Sequence, residues 1–290
     1  MFADSILWPA LLNGLTMGSI YVLIALGLTL IYGVLHIINF AHGSLLMIAM
    51  YIVLILFQRA GIDPYAAIPI LVLVMFVLGY CLQRFVISQA SHARDENILL
   101  ITLGLSLVIE NLAIYMFHSD PRNLETVYSN NTIDVLGAQI TYPRALAVAG
   151  AAVCGAAIWY LMARTDLGRA IRAVAKERQG ALAVGIDVQH IFAVSFGIGL
   201  ACVGAAACFL LPMFYVSPHV GQSFVLVAFT VVVLGGMGSF AGSIVGGVIV
   251  GLVESLCGLY LGESLSQIGV FVIFIAILLF RPLGLLGHRA

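Results

Sequence analysis

Charge is what this sequence has least of. Asp, Glu, Lys and Arg make up 9% of its 290 residues, against roughly 25% in a soluble domain. Between Ser5 and Gln58 there is none, and between Val188 and Val253 there is none either. No soluble core needs uncharged runs of that length. A helix that crosses a bilayer needs about 20 apolar residues, so each run holds more than one crossing. A membrane β-barrel would alternate apolar and polar residues in segments of about ten. The apolar residues here run unbroken, which selects helices. The net charge of −1 offers no basic field to nucleic acid.

Other absences narrow the chemistry. The single lysine, Lys176, stands in "VAKERQG", and the chain has no G-x-x-x-x-G-K-[ST], whose Lys holds nucleotide phosphates. The chain is therefore not expected to bind ATP itself in the P-loop manner. "GGMGSFA" contains G-x-G-x-x-A at Gly236, Gly238 and Ala241, but a dinucleotide fingerprint needs a βαβ setting, and this one lies between apolar spans. H-E-x-x-H and G-x-S-x-G are absent too. The five cysteines (Cys81, Cys154, Cys202, Cys208, Cys257) are odd in number, sit in apolar stretches and show neither metal nor redox spacing. No basic segment opens "MFADSILWPALLNG", so no cleaved signal peptide is expected.

What remains is a polytopic, all-α membrane protein, read as a single domain over 1–290. Apolar spans fall at roughly 9–33, 43–58, 66–86, 97–118, 142–163, 190–211, 222–236, 241–260 and 266–281. That gives eight or nine crossings, the count depending on whether some segments are broken or re-entrant. Basic residues in short loops mark the cytoplasmic side. Arg164, Arg169, Arg172, Lys176 and Arg178, then Arg84 and Arg94, then Arg281 and Arg289 place 164–189, the 84–96 turn and the C-terminus there. The loop 119–141, with Arg122 beside Asp120, Glu125 and Asp134, is expected outside. Counting backwards puts the N-terminus outside if 9–58 crosses twice. Val, Tyr, Thr and Ile around Asn-Asn and Leu-Gly give the outer loop the composition of a short hairpin. Asn130-Asn131-Thr132 matches a glycosylation sequon, a pattern that chance readily supplies. "YGVLHIINFAHGSLLMIA" and "LGGMGSFAGSIVGGVIVG" each set a glycine-bearing break between two apolar segments, a faint internal echo of the repeats common in transporters.

Polar residues inside the apolar runs are the candidate path. The 54 uncharged residues around "HIINFAHGS" would stretch about 80 Å as one helix, so a turn falls there. Asn39 and His42 then either cap and bond that turn or belong to a pathway or moving bend. Glu110 and Asn111 lie midway through a span, and Glu254 lies in another. An ionisable group in a bilayer is costly, so each acid either lines an aqueous cavity or makes a structural contact. Tyr215, Ser217 and His219, beside Pro212 and Pro218, read as a loop or as an outer docking surface. Gly238, Gly242 and Gly246 recur every four residues, which places them on one helix face for close packing or for a sliding or subunit contact.

"TDLGRAIRAVAKERQGALAVGID" (165–187) gathers seven of the 25 charged side chains. Thr165 or Asp166 suits a helix N-cap. Ala170, Ala173, Val174, Ala181 and Leu182 are helix-compatible and suited to a shallow groove. Gly185 suits a left-handed stop. Arg169, Arg172, Lys176 and Arg178 either meet a partner's acids or anchor at anionic headgroups.

Three stretches together resemble the membrane permease subunits of branched-chain amino acid ABC importers, the LivH type. They are "GLTLIYGVLHIINFAHGSLLMIAMY" (27–51), the charged island, and "VVVLGGMGSFAGSIVGGVIVG" (231–251), followed by "FRPLGLLG" (280–287). The resemblance runs nearly end to end. It implies a bacterial inner-membrane protein that pairs with a second homologous permease, or with its own copy, in the lipid bilayer. Two cytoplasmic ATPase subunits, which bind the ATP and Mg, would drive the pair, and a periplasmic binding protein would deliver substrate. It assigns the island to coupling, as a short helix in a groove of the ATPase. No cofactor is expected in this chain. Two rivals from other classes stand beside this reading. One is a secondary transporter or channel using Glu110 or Glu254 for ion coupling. The other is a membrane enzyme using His36, His42 or His219, for which no acid–base cluster is visible.

Overall fold

The computed structural model describes residues 2–90, 95–124, 126, 128–129, 131–135, 138–262, 265–281 and 284–287. Arg94, Glu125, Asn130, the Leu136-Gly137 turn, Pro282 and Arg289 lie outside them. Twelve α-helices and one hairpin follow in the order α1 (Phe2–Leu35), α2 (His42–Ala60), α3 (Ile68–Leu82), a π-helical turn (Gln83–Ile87), α4 (Ser88–Ala90), α5 (Asp95–Phe117), β1 (Thr132–Val135), β2 (Ala138–Thr141), α6 (Tyr142–Arg164), α7 (Asp166–Lys176), α8 (Arg178–Ala183), α9 (Val188–Leu210), α10 (Val220–Gly235), α11 (Phe240–Leu261) and α12 (Ser266–Phe280).

Each of the nine apolar spans is helical. Among the described residues seven helices are long and apolar enough to cross a membrane, while Val220–Gly235 and Ser266–Phe280 are shorter. The eight or nine crossings read from composition are thus not all full-length helices. The expected hairpin pairs Thr132 with Thr141 and Val135 with Ala138, antiparallel. Asp63 ties it down, accepting from the Tyr128 hydroxyl at 2.5 Å and from the Tyr65 amide at 2.9 Å. Burial, and then the Asp63 carboxylate, push both phenols above their ordinary range.

The bundle is organised around α1 and α9, which supply more of the buried core than any other pair of helices among the described residues. The α1 helix lies against α11, and the reason is glycine. A Cβ placed on Gly18 would sit 2.8 Å from the Gly247 carbonyl oxygen and 2.9 Å from Val248 Cα. One on Gly14 would sit 2.8 Å from Leu252 Cα. The two backbones approach as closely as small-residue packing in membranes allows. Further along, Thr29 and Ser243 join hydroxyls at 2.5 Å across the same pair.

Gly238, Gly242 and Gly246 do not share one helix face. Gly238 has φ +86 and lies in the link before α11, against Gly33 of α1. Ser239 caps α11, accepting from the Gly242 amide at 3.1 Å. Gly242 and Gly246 pack instead on Gly235 and Val231 of α10, while Gly247 and Gly251 pack on α1. The four-residue spacing misled because the helix starts after its first member. The second of the echoed breaks, 236–239, meets α1 at Gly33, just before the first, 36–41.

The glycines separate two outcomes. Gly18→Val is expected to lower stability by about 1–3 kcal/mol or more through overpacking. Gly104, whose Cβ position is open, should tolerate Ala with a gain of up to about 1 kcal/mol. Thermal unfolding of the two variants in detergent checks both.

Candidate functional site

The hairpin and the charged island mark opposite ends of the bundle, since α6 runs from β2 to the island. Each end carries a structured site.

At the island end the local signals are honoured one by one. The Thr165 hydroxyl accepts from the Gly168 amide at 3.0 Å, so α7 begins at Asp166. Ile171 and Val174 turn inward and are fully buried, while Arg169, Arg172, Ala173 and Lys176 face out. Asp166 pairs with Arg169 on the exposed face. The island is two helices rather than one. Glu177 is extended (φ −154), ends α7 and caps α8 by accepting from the Gln179 amide at 3.2 Å. Gly185 (φ +85) stops α8 in the left-handed conformation, with Ile186 N donating to Ala181 O at 3.0 Å. Asp187 then caps α9 through the His190 amide.

Three residues read as partner contacts are used internally. Ala181 is buried against its own chain, as is Val174, because an amphipathic helix must cover its apolar stripe. Arg178 reaches back to α1. Its Nη2 donates to Leu35 O at 3.1 Å and its guanidinium lies 4.9 Å from the Phe192 ring centroid. A cation on the last carbonyls of a helix is favourable, so Arg178 straps the island to the end of α1. Leu182 in α8 and Val184 just after it, by contrast, are 59% and 76% exposed. Below α7 a cavity of ≈ 230 Å³ is lined by Gly33, Ile171, Arg172, Gly238 and Phe240. The island thus sits over the point where the 236–239 break meets α1.

Between the ends, 36–41 folds back into the bundle. His36 (φ +57) ends α1. Asn39 and His42 are fully buried. Asn39 Oδ1 accepts from the Ala41 amide at 3.0 Å, and His42 Nε2 bonds to Ile24 O at 3.1 Å. The carbonyl can only accept, so that nitrogen carries the proton. Asn39 Nδ2 and His42 Nδ1 have no partner among the described residues. The Phe40 amide and Ser44 hydroxyl reach Thr102 and Ser106 of α5. These contacts place the segment alongside the middle of α5, as a re-entrant break requires.

At the hairpin end a cavity of ≈ 370 Å³ is lined by Met17, Tyr21, Tyr215, His219, Glu254 and Gln267, among others. It shares Met17, Phe214 and Glu254 with a neighbouring cavity of ≈ 640 Å³. Both fall within the size range of small-molecule sites, about 300–1,000 Å³. Glu254 lines both cavities and accepts from the Tyr21 hydroxyl at 2.6 Å. Glu110 is buried and held by the start of α10. His219 Nδ1 donates to its Oε1, and Gln222 Nε2 reaches its two oxygens at 3.1 and 3.0 Å. His219 thereby links Glu110 to the cavity wall. Asn111 goes elsewhere. Successive helical residues are about 100° apart, and Asn111 faces outward, its amide satisfied by Leu107 O at 2.8 Å.

Sequence reasoning passed over Tyr21, Gln222 and Arg144. Tyr21 is invisible in an apolar run, since a phenol counts as apolar until a partner is known. Arg144 had a readable signal, a lone cation in the first turn of an apolar helix.

The sequence model of the family described as "Branched-chain amino acid transport system / permease component" matches residues 10–280. The chain belongs to this family. Curated relatives include the high-affinity branched-chain amino acid transport system permease protein BraD of Pseudomonas aeruginosa. It is 32% identical over 96% of this chain and 95% of the relative. LivH of Escherichia coli K12 is 30% identical over 95% of this chain and 94% of its own length. A probable LivH of Methanocaldococcus jannaschii is 28% identical over 93% and 89%. No solved structure matches the chain. The two breaks and the island quoted above all lie inside the matched residues of the permease.

The strap to α1 is testable. Replacing Arg178 with Gln is expected to loosen the island and raise tryptic cleavage after Lys176 severalfold, with helix content by circular dichroism unchanged. An unaltered cleavage rate would mean that the caps alone hold the island.

Proposed function

We propose that the chain is the transmembrane permease subunit of an ATP-driven importer for branched-chain or related amino acids, moving them from periplasm to cytoplasm by alternating access. The observation that carries this is the island: two capped helices that display Arg169, Arg172, Lys176 and the exposed Leu182 and Val184, strapped to α1, in a chain without a phosphate-binding motif. Basic residues around exposed apolar ones fit an acidic-rimmed apolar groove on a partner. Two cytoplasmic ATPase subunits carrying ATP and Mg would supply it.

The rest of the assembly follows the same reading. A second homologous permease, or a second copy, completes the pore, and a periplasmic binding protein docks at the hairpin end. Large apolar side chains exposed on α5 and α12, such as Leu107, Tyr115, Phe271 and Phe280, suit lipid or that second permease. The backbone amides of Leu285 and Leu286 bond to Leu234 O and Gly235 O, which sets the C-terminal segment at the island end. With the basic residues inside, the island, the 84–96 turn and the C-terminus are cytoplasmic in an inner membrane, and the 119–141 loop is periplasmic.

Mechanically, closure of the ATPases moves α7 and α8 as one capped body. Arg178 passes that motion to the end of α1, and the glycine contacts carry α11 with it. Tyr21 and Glu254 ride on those two helices, so the cavity wall moves when the island moves.

Reconstituted alone, the chain is expected to move no amino acid. With its ATPases and a loaded binding protein it should show uptake that depends on ATP. Uptake by the chain alone, without ATP, would establish the secondary-transporter reading instead. The island has its own test. Gly185→Val forces a β-branched residue into a left-handed backbone, and Arg172→Glu reverses the charge over the ≈ 230 Å³ cavity. Each should lower uptake per ATP hydrolysed by roughly tenfold, a loss of coupling of about 1.4 kcal/mol, with the protein still inserted. Wild-type coupling in both variants would count against a coupling role.

A further inference from the structure

The larger cavity at the hairpin end holds a guanidinium and a carboxylate that do not pair. Arg144 and Glu254 both line it, with Asn13, Met17, Phe214 and Leu259. Neither closes an ion pair among the described residues. Each is engaged by a different neighbour on α1. Arg144 Nη1 donates to Asn13 Oδ1. Asn13 in turn reaches Ser255 Oγ at 3.5 Å, and that hydroxyl donates to Ala10 O at 2.7 Å. Glu254 is held by the Tyr21 hydroxyl, two helical turns further along α1. Asn13, Met17 and Tyr21 recur every four residues and share one face of α1. That face therefore carries one holding group for each charge, with an apolar side chain between them.

The two poles suit opposite ends of one small ligand. Arg144 offers the planar fork that matches a carboxylate. It stands in the first turn of α6, where the helix field adds to its charge. Tyr21 engages one oxygen of Glu254 and leaves the other able to accept from an ammonium.

We propose that this cavity is the permease's own substrate subsite and that it takes a free amino acid by both poles, Arg144 binding the α-carboxylate and Glu254 the α-ammonium. The side chain then lies against Met17, Phe214 and Leu259. This rests on the importer reading and adds to it a place on this chain and a chemical criterion. A ligand with only one pole leaves the other protein charge desolvated and unpaired, which a membrane cavity penalises. Apolar walls read side-chain length only weakly, so zwitterionic character is the stronger requirement.

The test uses the whole complex in vesicles, with Met17→Cys labelled by an impermeant maleimide from the hairpin side above the wild-type background. Leucine is expected to slow that labelling at least about tenfold, as a site built on paired polar contacts should. 3-Methylbutylamine and 4-methylpentanoate, each lacking one pole, should not slow it. Protection should vanish in M17C/R144Q and in M17C/E254Q, and uptake should fall at least about tenfold in the single R144Q and E254Q variants, with the complex still co-purifying. If the complex takes up another amino acid instead, that one and its one-pole analogues replace leucine. Protection by a one-pole analogue, or wild-type uptake in both neutral variants, overturns the proposal. Absence of any ATP-dependent amino acid uptake by the wild-type complex sinks the importer reading. Uptake without protection sinks the subsite alone.

Discussion

The contact between α1 and α11 is the one on which the rest of the structure depends. Lipid tails are as apolar as a leucine side chain, so burying apolar area does not by itself hold two membrane helices together. Close backbone approach can, because it multiplies dispersion contacts too small to matter singly. Gly14 and Gly18 on one helix and Gly247 and Gly251 on the other remove the side chains that would keep the backbones apart. The two helices then behave as a single element. The α1 helix has 34 residues, about 51 Å at 1.5 Å per residue, against a hydrocarbon core of about 30 Å. It is long enough to reach from the cavity at one end to the island at the other.

The same constraint explains where the few charges stand. A charge at the bilayer centre costs about 2.5–3.5 kcal/mol even on lenient scales. Each acid within the spans answers by recruiting donors from another helix: Glu254 takes the Tyr21 hydroxyl, and Glu110 takes His219 and Gln222. A single interhelical hydrogen bond adds only about 0.6 kcal/mol on average. These contacts therefore do more to fix which helix faces meet than to hold the helices together. Glycine packing brings the helices together and the polar contacts set their rotation.

Which features could be read from the sequence follows from the range of the physics involved. Apolar runs report a helix locally, so all nine spans were visible. Thr165, Gly185 and the hairpin composition are short-range signals, and each acted where it stood. The break after α7 was missed because Glu177 caps α8 only once its backbone is extended, and nothing in "AKERQ" forces that. Gly238 was misplaced because a four-residue spacing cannot reveal where a helix starts. Val174 and Ala181 were read as facing a partner's groove, but which side of a short helix meets the bundle depends on α1 and α9, more than 100 positions and about ten positions away in sequence. Tyr21 and Arg144 belong to the cavity only through partners on other helices. A single sequence carries no record of such pairs.

The two ends of the chain differ in how their polar groups are satisfied, and that difference bears on how they work. At the island, the caps and the Arg178 strap satisfy the helix ends locally. At the re-entrant break and the first residue of α2, Asn39 Nδ2 and His42 Nδ1 are buried without partners among the described residues, and an unmade hydrogen bond in such a place costs about 1–3 kcal/mol. The break is thus one of the places in the core where a buried polar atom goes unpaired. It is also the segment that joins α1 to α2 and meets α5 through Thr102 and Ser106. On the importer reading proposed above, the capped island, the closely packed α1–α11 pair and the segment that joins α1 to α2 would relay a push from one end to the cavity at the other.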